Sequence, residues 1–232
     1  MKITDFKGIF KKTYAYIESV DNPFGDYYVI KLKAQGLSWT SGEHAIFSLP
    51  DHKVTGKKWR AFSIASSNHE GVITLGMRTG EKISSFKDTL IHMKKGERVQ
   101  VRGPFGWFKV MDNKAPMVMI ASGVGITPIR AIMKSLENDE SRPLHTVYSS
   151  RKDYLFSGEL EEIVAKNQSM ELIKTTSRDA TSDEYKRLAK LYGNEAYYYI
   201  SGSMQVIKSI KDALTKEGVK KNRIINDPFF GY

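Results

Sequence analysis

Up to about Asp112, short runs of strand-forming residues are separated by turn-forming residues, a pattern that predicts β-structure. The runs are rich in β-branched and aromatic residues and end at Gly, Pro, Asn or Asp, as at Asp21-Asn22-Pro23. They cover residues 27–32, 45–49, 72–77 and 98–101. Short strands at this spacing predict a small antiparallel β-barrel or sandwich. Residues 84–91 differ, because Phe86 and Leu90 have helical spacing after serine caps, and we expect a short helix there.

After Asp112, apolar runs alternate with helical periodicity, which predicts a parallel sheet built from βαβ units. Residues 117–121 form an unbroken apolar run, typical of a strand buried on both faces. A helix is predicted from Pro128, and the capping box at residues 181–184 predicts the start of another. Further strands are predicted at residues 144–148, 170–175, 196–200 and 223–225, and further helices at 159–166 and 206–218. We therefore expect two domains, an antiparallel β-barrel over residues 1–112 and an α/β parallel-sheet domain over residues 113–232.

The composition is that of a chain that folds around packed cores, with 41% hydrophobic and 27% charged residues. No apolar run approaches the roughly 18 residues of a membrane helix, and residues 1–10 lack the apolar block of a signal peptide. We therefore expect a cytoplasmic protein that does not span a membrane. The sequence has no cysteine, which excludes disulfides, thiol catalysis and a cysteine-ligated iron–sulfur cluster within these residues.

The net charge is +10, and it is concentrated in the first half of the chain. Residues 1–112 carry 18 Lys and Arg against 11 Asp and Glu, a balance of +7, whereas residues 113–232 carry 18 against 15, a balance of +3. A basic first half suits an anionic ligand or an acidic protein partner, although any single lysine also suits a solvated surface. No recognition motif accompanies the charge, so we expect no nucleic-acid partner. The five histidines are scattered, and we expect no metal site.

Residues 122–128 follow the first parallel strand and have the spacing G-x-G-x-x-P. Gly123 and Gly125 would let the backbone approach a pyrophosphate, and the start of the helix supplies free N–H groups. Thr127 is expected to cap that helix, with Pro128 at its first position. A tight strand-to-helix turn without any ligand would have the same glycines.

Four segments follow predicted parallel strands and should meet at one edge of the sheet, where such sheets bind ligands. They are residues 122–127, 149–152, 175–178 and 201–204, which are rich in hydroxyls, glycine and cations. Arg151 and Lys152 fall where a ribose is expected, and Ser150 before them is a further candidate for nucleotide binding. A cation there favours the 2′-phosphate of NADP over NAD, although Arg151 could instead form a surface ion pair.

Five motifs occur in an order that resembles the ferredoxin–NADP reductase family, and the resemblance covers nearly the whole chain. Residues 60–66 resemble the flavin motif R-x-[YF]-S-[TI], and residues 80–90 resemble the family's flavin-pyrophosphate helix. Gly103-Pro104-Phe105-Gly106 resembles the turn that ends its barrel. Residues 123–128 resemble its nicotinamide-nucleotide turn, and residues 227–232 its aromatic tail.

The resemblance assigns flavin-binding roles in the first domain. Arg60 would pair with the flavin pyrophosphate, Phe62, after Ala61, would lie against the isoalloxazine, and Ser63 would hydrogen-bond near flavin N5. Phe62 could also be an ordinary core aromatic. The backbone of Met77, Arg78 and Thr79 would run beside the ring. Ile83, Ser84 and Ser85 would bind the pyrophosphate, which favours FAD over FMN.

In the second domain the resemblance places Ser201 and Gly202 near the nicotinamide, where the family usually has a cysteine before the glycine. A serine is a poorer nucleophile, which affects the expected rate and not the reaction type. Asp227 could be a carboxylate near the site or could fix the turn before Pro228. Phe229, Phe230 or Tyr232 would cover the second face of the flavin. The catalytic candidates are Ser63, Ser201, Asp227 and Tyr232.

The resemblance implies a reductase that transfers hydride from NADPH, with NADH as an alternative, to FAD and passes electrons to a separate acceptor. Ferredoxin, flavodoxin, a haem protein, a ferric chelate and free flavin are all candidate acceptors, and the basic first domain favours an acidic electron-transfer protein. A second interpretation is a flavin module of a multicomponent or membrane-associated complex with little activity alone. A third is a flavin-binding sensor without turnover.

Overall fold

A computed structural model describes residues 3–227, and the chain divides into two compact units between Lys109 and Val110. Each unit has its own sheet: six strands in the first and five in the second. Neither sheet borrows a strand from the other unit. Within the described residues, no helix combines the length and the apolar character needed to cross a membrane.

The first unit is a curled antiparallel sheet preceded by a 3₁₀ helix, Ile3–Phe10. Its strands are β1 (Lys12–Phe24), β2 (Tyr27–Lys33), β3 (His44–Ser48), β4 (Trp59–Ser63), β5 (Ile73–Arg78) and β6 (Arg98–Phe105), in the order β4-β3-β6-β1-β2-β5. The segment after β4 bonds to the opposite edge, because Ala65 donates its N–H to the carbonyl of Thr74 at 2.7 Å. The predicted antiparallel barrel is confirmed. Helix α1 (Ser85–Ile91) lies between β5 and β6 in the chain, as the sequence predicts.

The 13-residue strand β1 is longer than any strand that the sequence predicts. Asp21-Asn22-Pro23 reads as a turn but belongs to this strand, so that expectation is wrong. The turn falls at Gly25, where the side-chain amide of Asn22 donates to the carbonyls of Gly25 (3.1 Å) and Tyr27 (2.6 Å). The pairing register shifts between Asp21 and Phe24, which lets the strand accept Pro23 at its irregular end.

Gly103-Pro104-Phe105 likewise continues a strand where a turn is expected. Gly103 still donates its N–H to the carbonyl of Lys11 at 3.0 Å, and Phe105 pairs with His44 on β3. A register shift next to that pair accommodates Pro104, which has no N–H to donate to the ladder. The chain leaves the sheet at Gly106.

The second unit is a five-stranded parallel sheet with helices, as predicted. Its strands are β7 (Met117–Ser122), β8 (Leu144–Ser149), β9 (Met170–Thr175), β10 (Tyr197–Ser201) and β11 (Ile224–Asn226), in the order β11-β10-β7-β8-β9. Its helices are α2 (Ile126–Ser135), α3 (Ser157–Lys166), α4 (Arg178–Tyr192) and α5 (Met204–Lys216). The central strand β7 is buried from Met117 to Ala121, which confirms the prediction from its unbroken apolar run.

Two helix starts differ from the predicted ones. A 3₁₀ turn, Gly123–Gly125, runs directly into α2, so Thr127 is already inside the helix and its hydroxyl donates to the carbonyl of Val124 at 2.9 Å. Helix α4 begins at Arg178 with Ser177 as its N-cap, and the capping box predicted from Thr181 is wrong. Thr181 is buried within the helix, where its hydroxyl bonds to the carbonyl of Ser177 at 2.6 Å.

The segment around Asp112 is held by the second unit. Met111 donates its N–H to the hydroxyl of Tyr199 at 3.0 Å, and buried Arg142 donates to the carbonyl of Asp112. The carboxylate of Asp112 accepts the N–H groups of Lys114 (2.9 Å) and Ala115 (2.8 Å). These bonds explain why the compact unit begins at Val110, before the polar turn at which the sequence places the boundary.

Candidate functional site

In the first unit, the candidate flavin motif lies on β4, which is an edge strand. Arg60 pairs with Phe47 and Phe62 with Ala45, so both side chains are on the inner side of the curled sheet, while Ala61 is on the outer side. The Phe62 ring packs 5.8 Å from Phe47 and 6.4 Å from Phe86, between ring centroids, yet stays partly exposed. Phe62 thus rests against the core and presents an aromatic surface at the sheet edge.

Arg60 lies close to a second cation, Lys87, which the sequence analysis did not select. Lys87 is 8% exposed, and its Nζ donates to the carbonyl of Arg78 at 2.6 Å. Burial and the positive charge of Arg60 lower the pKa of Lys87, while Asp26 acts in the opposite direction. Burial also lowers the pKa of Arg60, whose Nη1 donates to the carbonyls of Lys57 (2.8 Å) and Trp59 (2.9 Å). Arg60 and Lys87 are like charges in a partly dehydrated site, and a bound anion would stabilise both of them.

Helix α1 begins beside these cations. The hydroxyl of Ser84 accepts the N–H of Lys87 at 3.4 Å, which caps the helix, and the hydroxyl of Ser85 accepts the N–H of Thr55 at 3.1 Å. The Ile83 side chain is 40% exposed. The guanidinium of Arg60 lies 5.6 Å from the centroid of the Phe86 ring, on the same helix. The structure therefore brings the β4 motif and α1 together, as the resemblance implies.

The segment after β5 is organised by Asp26. Arg78 forms an ion pair with its carboxylate at 2.8 Å, Thr79 donates its N–H to its carbonyl at 2.9 Å, and Gly80 donates to its carboxylate at 3.0 Å. Burial alone would raise the pKa of Asp26, but the hydrogen bonds and charge of Arg78 bring it below its ordinary value. The Met77 side chain is 2% exposed and belongs to the core, so only its backbone could face a ligand.

Ser63 has an unusual neighbour, since it pairs with His44 on β3. His44 is 2% exposed, and its ring packs edge-on against Phe105 at a centroid distance of 4.3 Å. Burial, with a smaller contribution from Lys109, lowers the pKa of His44 to about 4. A neutral imidazole therefore lies beside the serine that the sequence selects as a catalytic candidate. The sequence around His44 does not predict that this histidine lies beside Ser63.

In the second unit, the turn after β7 is packed against the end of β10. A Cβ placed on Gly125 would lie 2.3 Å from the carbonyl oxygen of Ser201 and 2.7 Å from the nitrogen of Gly202. Gly123 has a φ of +56°, a left-handed conformation that favours glycine. The side chains of Thr127 and Pro128 are buried within the start of α2, so they shape the turn. The structure brings Gly125, Ser201 and Gly202 together at the carboxyl edge of the sheet.

The turn after β8 is closed by short hydrogen bonds. Ser150 donates its N–H to the carbonyl of Thr175 at 3.0 Å and its hydroxyl to the carbonyl of Asp153 at 2.5 Å. Tyr154 also donates to the Thr175 carbonyl, at 2.9 Å. Arg151 is exposed at the tip of this turn. The turn holds Arg151 at the same sheet edge as the glycine turn, since β7 and β8 are parallel neighbours.

Ser201 and Asp227 form a buried pair. The hydroxyl of Ser201 donates to Oδ2 of Asp227 at 3.1 Å, and the two residues are 0% and 2% exposed. Asp227 also donates its N–H to the carbonyl of Ile200 at 2.9 Å. The carboxylate thus orients the hydroxyl of Ser201. The remaining tail candidates, Phe229, Phe230 and Tyr232, lie outside the described residues.

No group of three or more His, Cys, Asp or Glu side chains within residues 3–227 is arranged to hold a metal ion. What the described residues offer instead is a cation-rich aromatic edge in the first unit and a glycine turn with hydroxyls in the second.

Comparison with known proteins finds a matching domain family and several similar proteins. Residues 119–212 match the oxidoreductase NAD-binding domain family. The chain is 24% identical over 205 residues to the toluate 1,2-dioxygenase electron transfer component of Pseudomonas putida, covering 83% of this chain and 59% of that protein. It is 28% identical over 225 residues to the flavohemoprotein of Bacillus anthracis, covering 89% of this chain and 52% of that protein. The chain therefore spans about half to three fifths of the length of these curated relatives.

The fold is also that of a solved reductase. The ferredoxin–NADP⁺ reductase from Plasmodium falciparum superimposes with a TM-score of 0.76 at 19% identity, over 93% of this chain and 95% of that one. The superposition extends across both units, whereas the matched family model covers part of the second unit. Residues 119–212 thus match an oxidoreductase NAD-binding domain, and the chain as a whole has the fold of a ferredoxin–NADP⁺ reductase.

Proposed function

We propose that the chain is an NAD(P)H-dependent flavoprotein reductase, in which the first unit binds FAD, the second unit binds NADPH or NADH, and electrons pass to a separate acceptor. The observation that carries the proposal is the pair of partly dehydrated cations, Arg60 and Lys87, beside the capped start of α1. The diphosphate of FAD is an anion of the kind that this site favours. When bound, a flavin accepts two electrons from a reduced nicotinamide and can release them one at a time.

In the first unit, each candidate residue has a distinct task. Arg60 offers a planar fork to the diphosphate, and Lys87 adds a second positive charge while holding the Arg78 carbonyl in place. Phe62 provides the aromatic surface for the isoalloxazine. Ser63 presents a hydroxyl towards flavin N5, next to a His44 ring that stays neutral near pH 7.

In the second unit, the backbone N–H groups of the Gly123–Gly125 turn and the start of α2 would bind the nucleotide pyrophosphate. Gly125 allows the Ser201 carbonyl to approach that turn closely. Asp227 fixes the hydroxyl of Ser201 in one orientation, ready to contact the nicotinamide. Arg151, exposed at the end of β8, would bind the 2′-phosphate of NADPH.

The first experiment is a visible spectrum of the purified protein, reconstituted with FAD, before and after anaerobic addition of NADPH or NADH. We expect flavin absorption bands that bleach on addition of the nucleotide. If the protein bound no flavin after reconstitution, that result would contradict the proposed function. Bands that do not bleach would favour a flavin-binding sensor.

The cation pair is tested by Arg60→Met and Lys87→Met, with Lys53→Met, an exposed lysine of the same unit, as the matched control. Loss of a charge-assisted hydrogen bond weakens binding by about 10- to 100-fold. We expect the FAD dissociation constant, measured by quenching of flavin fluorescence, to rise by that amount in both variants and not in the control. Equal affinities in all three would contradict the assignment of the diphosphate to this pair.

The nucleotide preference is tested by Arg151→Ala, with the exposed Lys166→Ala as control. Because only NADPH carries the 2′-phosphate, we expect KM for NADPH to rise about tenfold while KM for NADH stays unchanged. Equal changes in KM for both nucleotides would show that Arg151 does not bind the 2′-phosphate.

A second candidate function follows from the lengths of the relatives. The relatives described above include a protein named as an electron transfer component, and the chain spans 59% of it. The second candidate is accordingly a flavin module that turns over only within a larger complex. Ferricyanide, which needs no docking site, separates the two: rapid reduction by the isolated chain supports an autonomous reductase, and reduction only with a partner protein supports a module.

A further inference from the structure

Arg130 on α2 is a buried cation whose ion-pair partner lies largely in solvent. Its guanidinium donates to Oε2 of Glu159 on α3, from Nε at 3.0 Å and also from a terminal nitrogen. The Arg130 side chain is 6% exposed, whereas that of Glu159 is 49% exposed. Burying a guanidinium costs free energy, and such a pair adds little net stability. Because so little of its surface is exposed, Arg130 can affect a bound ligand only through the residues that it contacts.

Arg130 also contacts Phe156, whose backbone conformation is strained. The guanidinium lies 5.5 Å from the centroid of the Phe156 ring. Phe156 has a φ of 64° and a ψ of 17°, and no other non-glycine residue in the described part of the chain has a positive φ. Bulky residues rarely adopt this left-handed conformation. Phe156 also stands at the N-cap position of α3, where its side chain offers no acceptor. The local sequence disfavours this geometry, so contacts with other elements must hold it.

The residues before α3 form a short loop, residues 150–156, which we call the β8–α3 loop. Near its end, Leu155 donates its N–H to the hydroxyl of the buried Tyr148 at 2.9 Å. The ring of Tyr154 packs edge-on against that of Tyr148 at a centroid distance of 5.0 Å. The loop is therefore fixed to the sheet at both ends, by the bonds of its first serine described above and by these contacts. Arg151 is exposed at its tip.

Arg130 connects the β8–α3 loop to the glycine turn. It lies about one turn after Ile126, the first residue of α2, and the Gly123–Gly125 turn runs directly into that residue. One buried side chain thus joins the two parts of the proposed nucleotide site, the turn for the pyrophosphate and the loop for the 2′-phosphate. A ligand that carries both phosphates binds best when the groups that recognise them are held at a fixed separation.

We propose that Arg130 is a positioning residue for the nucleotide. Through Glu159 and Phe156 it holds the β8–α3 loop against α2, so that Arg151 meets the 2′-phosphate while the glycine turn binds the pyrophosphate. This role rests on the proposed function and deepens it, because it makes the preference for a 2′-phosphate depend on a residue that does not contact the ligand.

The test uses Arg130→Met and Phe156→Gly. Methionine keeps an apolar stem in the buried space, and the carboxylate of Glu159 that it leaves behind is hydrated. Glycine at position 156 adopts the left-handed conformation without strain, so the protein keeps its fold while the loop gains freedom. The matched control is Lys134→Met on the same helix, which removes a cation whose ion pair, with Glu137 at 2.6 Å, does not reach α3.

The probes are adenosine 2′,5′-bisphosphate and adenosine 5′-monophosphate, which differ only in the 2′-phosphate. Calorimetry measures their dissociation constants without flavin and without turnover. We expect the preference for the bisphosphate to fall about three- to tenfold in Arg130→Met and in Phe156→Gly, and to stay at the parent value in Lys134→Met. In an Arg151→Ala background, Arg130→Met should not lower the preference further, because the two residues act through one contact.

Trypsin gives a second measurement that needs no ligand. The exposed Arg151 and Lys152 are cleavage sites at the tip of the loop, and their cleavage depends on how often the loop opens. We expect cleavage after these residues, followed by mass spectrometry, to be faster in Arg130→Met and in Phe156→Gly than in the parent. Lys134→Met should be cleaved at the parent rate.

The outcomes separate the role of Arg130 from the proposed function. A lower melting temperature in Arg130→Met with an unchanged preference and cleavage rate would show that the ion pair is only structural, and so would equal losses of affinity for both ligands. If Arg130→Met did not fold, the same readings in Phe156→Gly would decide. A parent protein that bound neither ligand would instead contradict nucleotide binding by the second unit, and with it the role of Arg130.

Discussion

At the scale of single residues, close packing explains a requirement for glycine that the backbone conformation alone does not explain. Gly125 has a helical backbone, with φ −61° and ψ −9°, so any residue could adopt its conformation. What requires glycine is the carbonyl oxygen of Ser201, which a Cβ would approach to 2.3 Å. The glycine spacing that resembles a nucleotide motif therefore also has a packing role within the second unit.

We expect Gly125→Ala to destabilise the protein by about 1–3 kcal/mol, because the backbone around Ser201 must shift to admit the methyl group. The control is Gly158→Ala in α3, where no atom lies within 4 Å of the added Cβ. Alanine there is expected to stabilise the helix by up to about 1 kcal/mol. Urea unfolding measures both, and equal stabilities of Gly125→Ala and the parent would show that the turn has room for a side chain.

His44 makes the stability of the first unit depend on pH. Burial, aided by Lys109, lowers its pKa to about 4, whereas the unfolded chain binds a proton near pH 6.5. The folded state binds fewer protons, so the stability is complete above pH 6.5 and is lost as the pH falls towards 4. Lys109 in turn pairs with Glu43 at 2.7 Å, and both belong to the first unit.

We expect the free energy of unfolding to fall by about 2–3 kcal/mol between pH 7.5 and pH 4.5 on account of His44. Because carboxylates also titrate at the acid end, the relevant quantity is the difference between the parent and His44→Gln. The variant should lose that part of the pH dependence, while His92→Gln, an exposed histidine, should keep it. The same slope in all three proteins would mean that His44 is protonated without cost.

At the scale of elements, competition between side-chain hydrogen bonds decides where a helix starts. Ser177 and the Thr181–Glu184 box both have capping residues, but only Ser177 accepts a backbone N–H, that of Ala180 at 3.1 Å. The Thr181 hydroxyl is instead shared among the hydroxyls of Thr175 (2.8 Å) and Ser149 (3.0 Å) and the Ser177 carbonyl. The two hydroxyls come from β8 and β9, and their proximity to Thr181 is not visible in the local sequence pattern.

Removing the true cap should therefore destabilise α4. We expect Ser177→Ala to lower the free energy of unfolding by about 1 kcal/mol, the usual effect of losing an N-cap. Ser209→Ala, an exposed position inside α5, is the control and should be neutral or slightly stabilising. The measurement is urea unfolding of the three proteins, and a neutral Ser177→Ala would point to a helix that starts elsewhere.

At the scale of the whole molecule, each unit has a hydrophobic core of its own. The first is built from strands β1–β6 and helix α1, around residues such as Ile30, Leu75 and Phe86. The second is built around Val118, Tyr198 and Leu214. Burial raises the pKa of the Tyr198 hydroxyl to about 12.

A fragment spanning residues 110–232 is therefore expected to fold alone, with a single cooperative unfolding transition. The fragment retains Met111 and Asp112 with their bonds to Tyr199 and Arg142. Starting the fragment at residue 116 removes those bonds and should lower its melting temperature. A fragment from 110 with no cooperative transition would mean that the second unit needs the first to fold.

The sequence by itself determined the two kinds of periodicity, and with them the antiparallel barrel and the parallel sheet, because strand and helix patterns depend on neighbours in the chain. It also placed Arg60, Phe62 and Ser84 in motifs that resemble flavin-binding ones, because such motifs are defined by the order of neighbouring residues. Only the tertiary structure joined Arg60 to Lys87, Ser63 to His44 and Ser201 to Asp227. Each of these pairs spans two elements, so its proximity depends on sheet register and burial, which no local pattern contains.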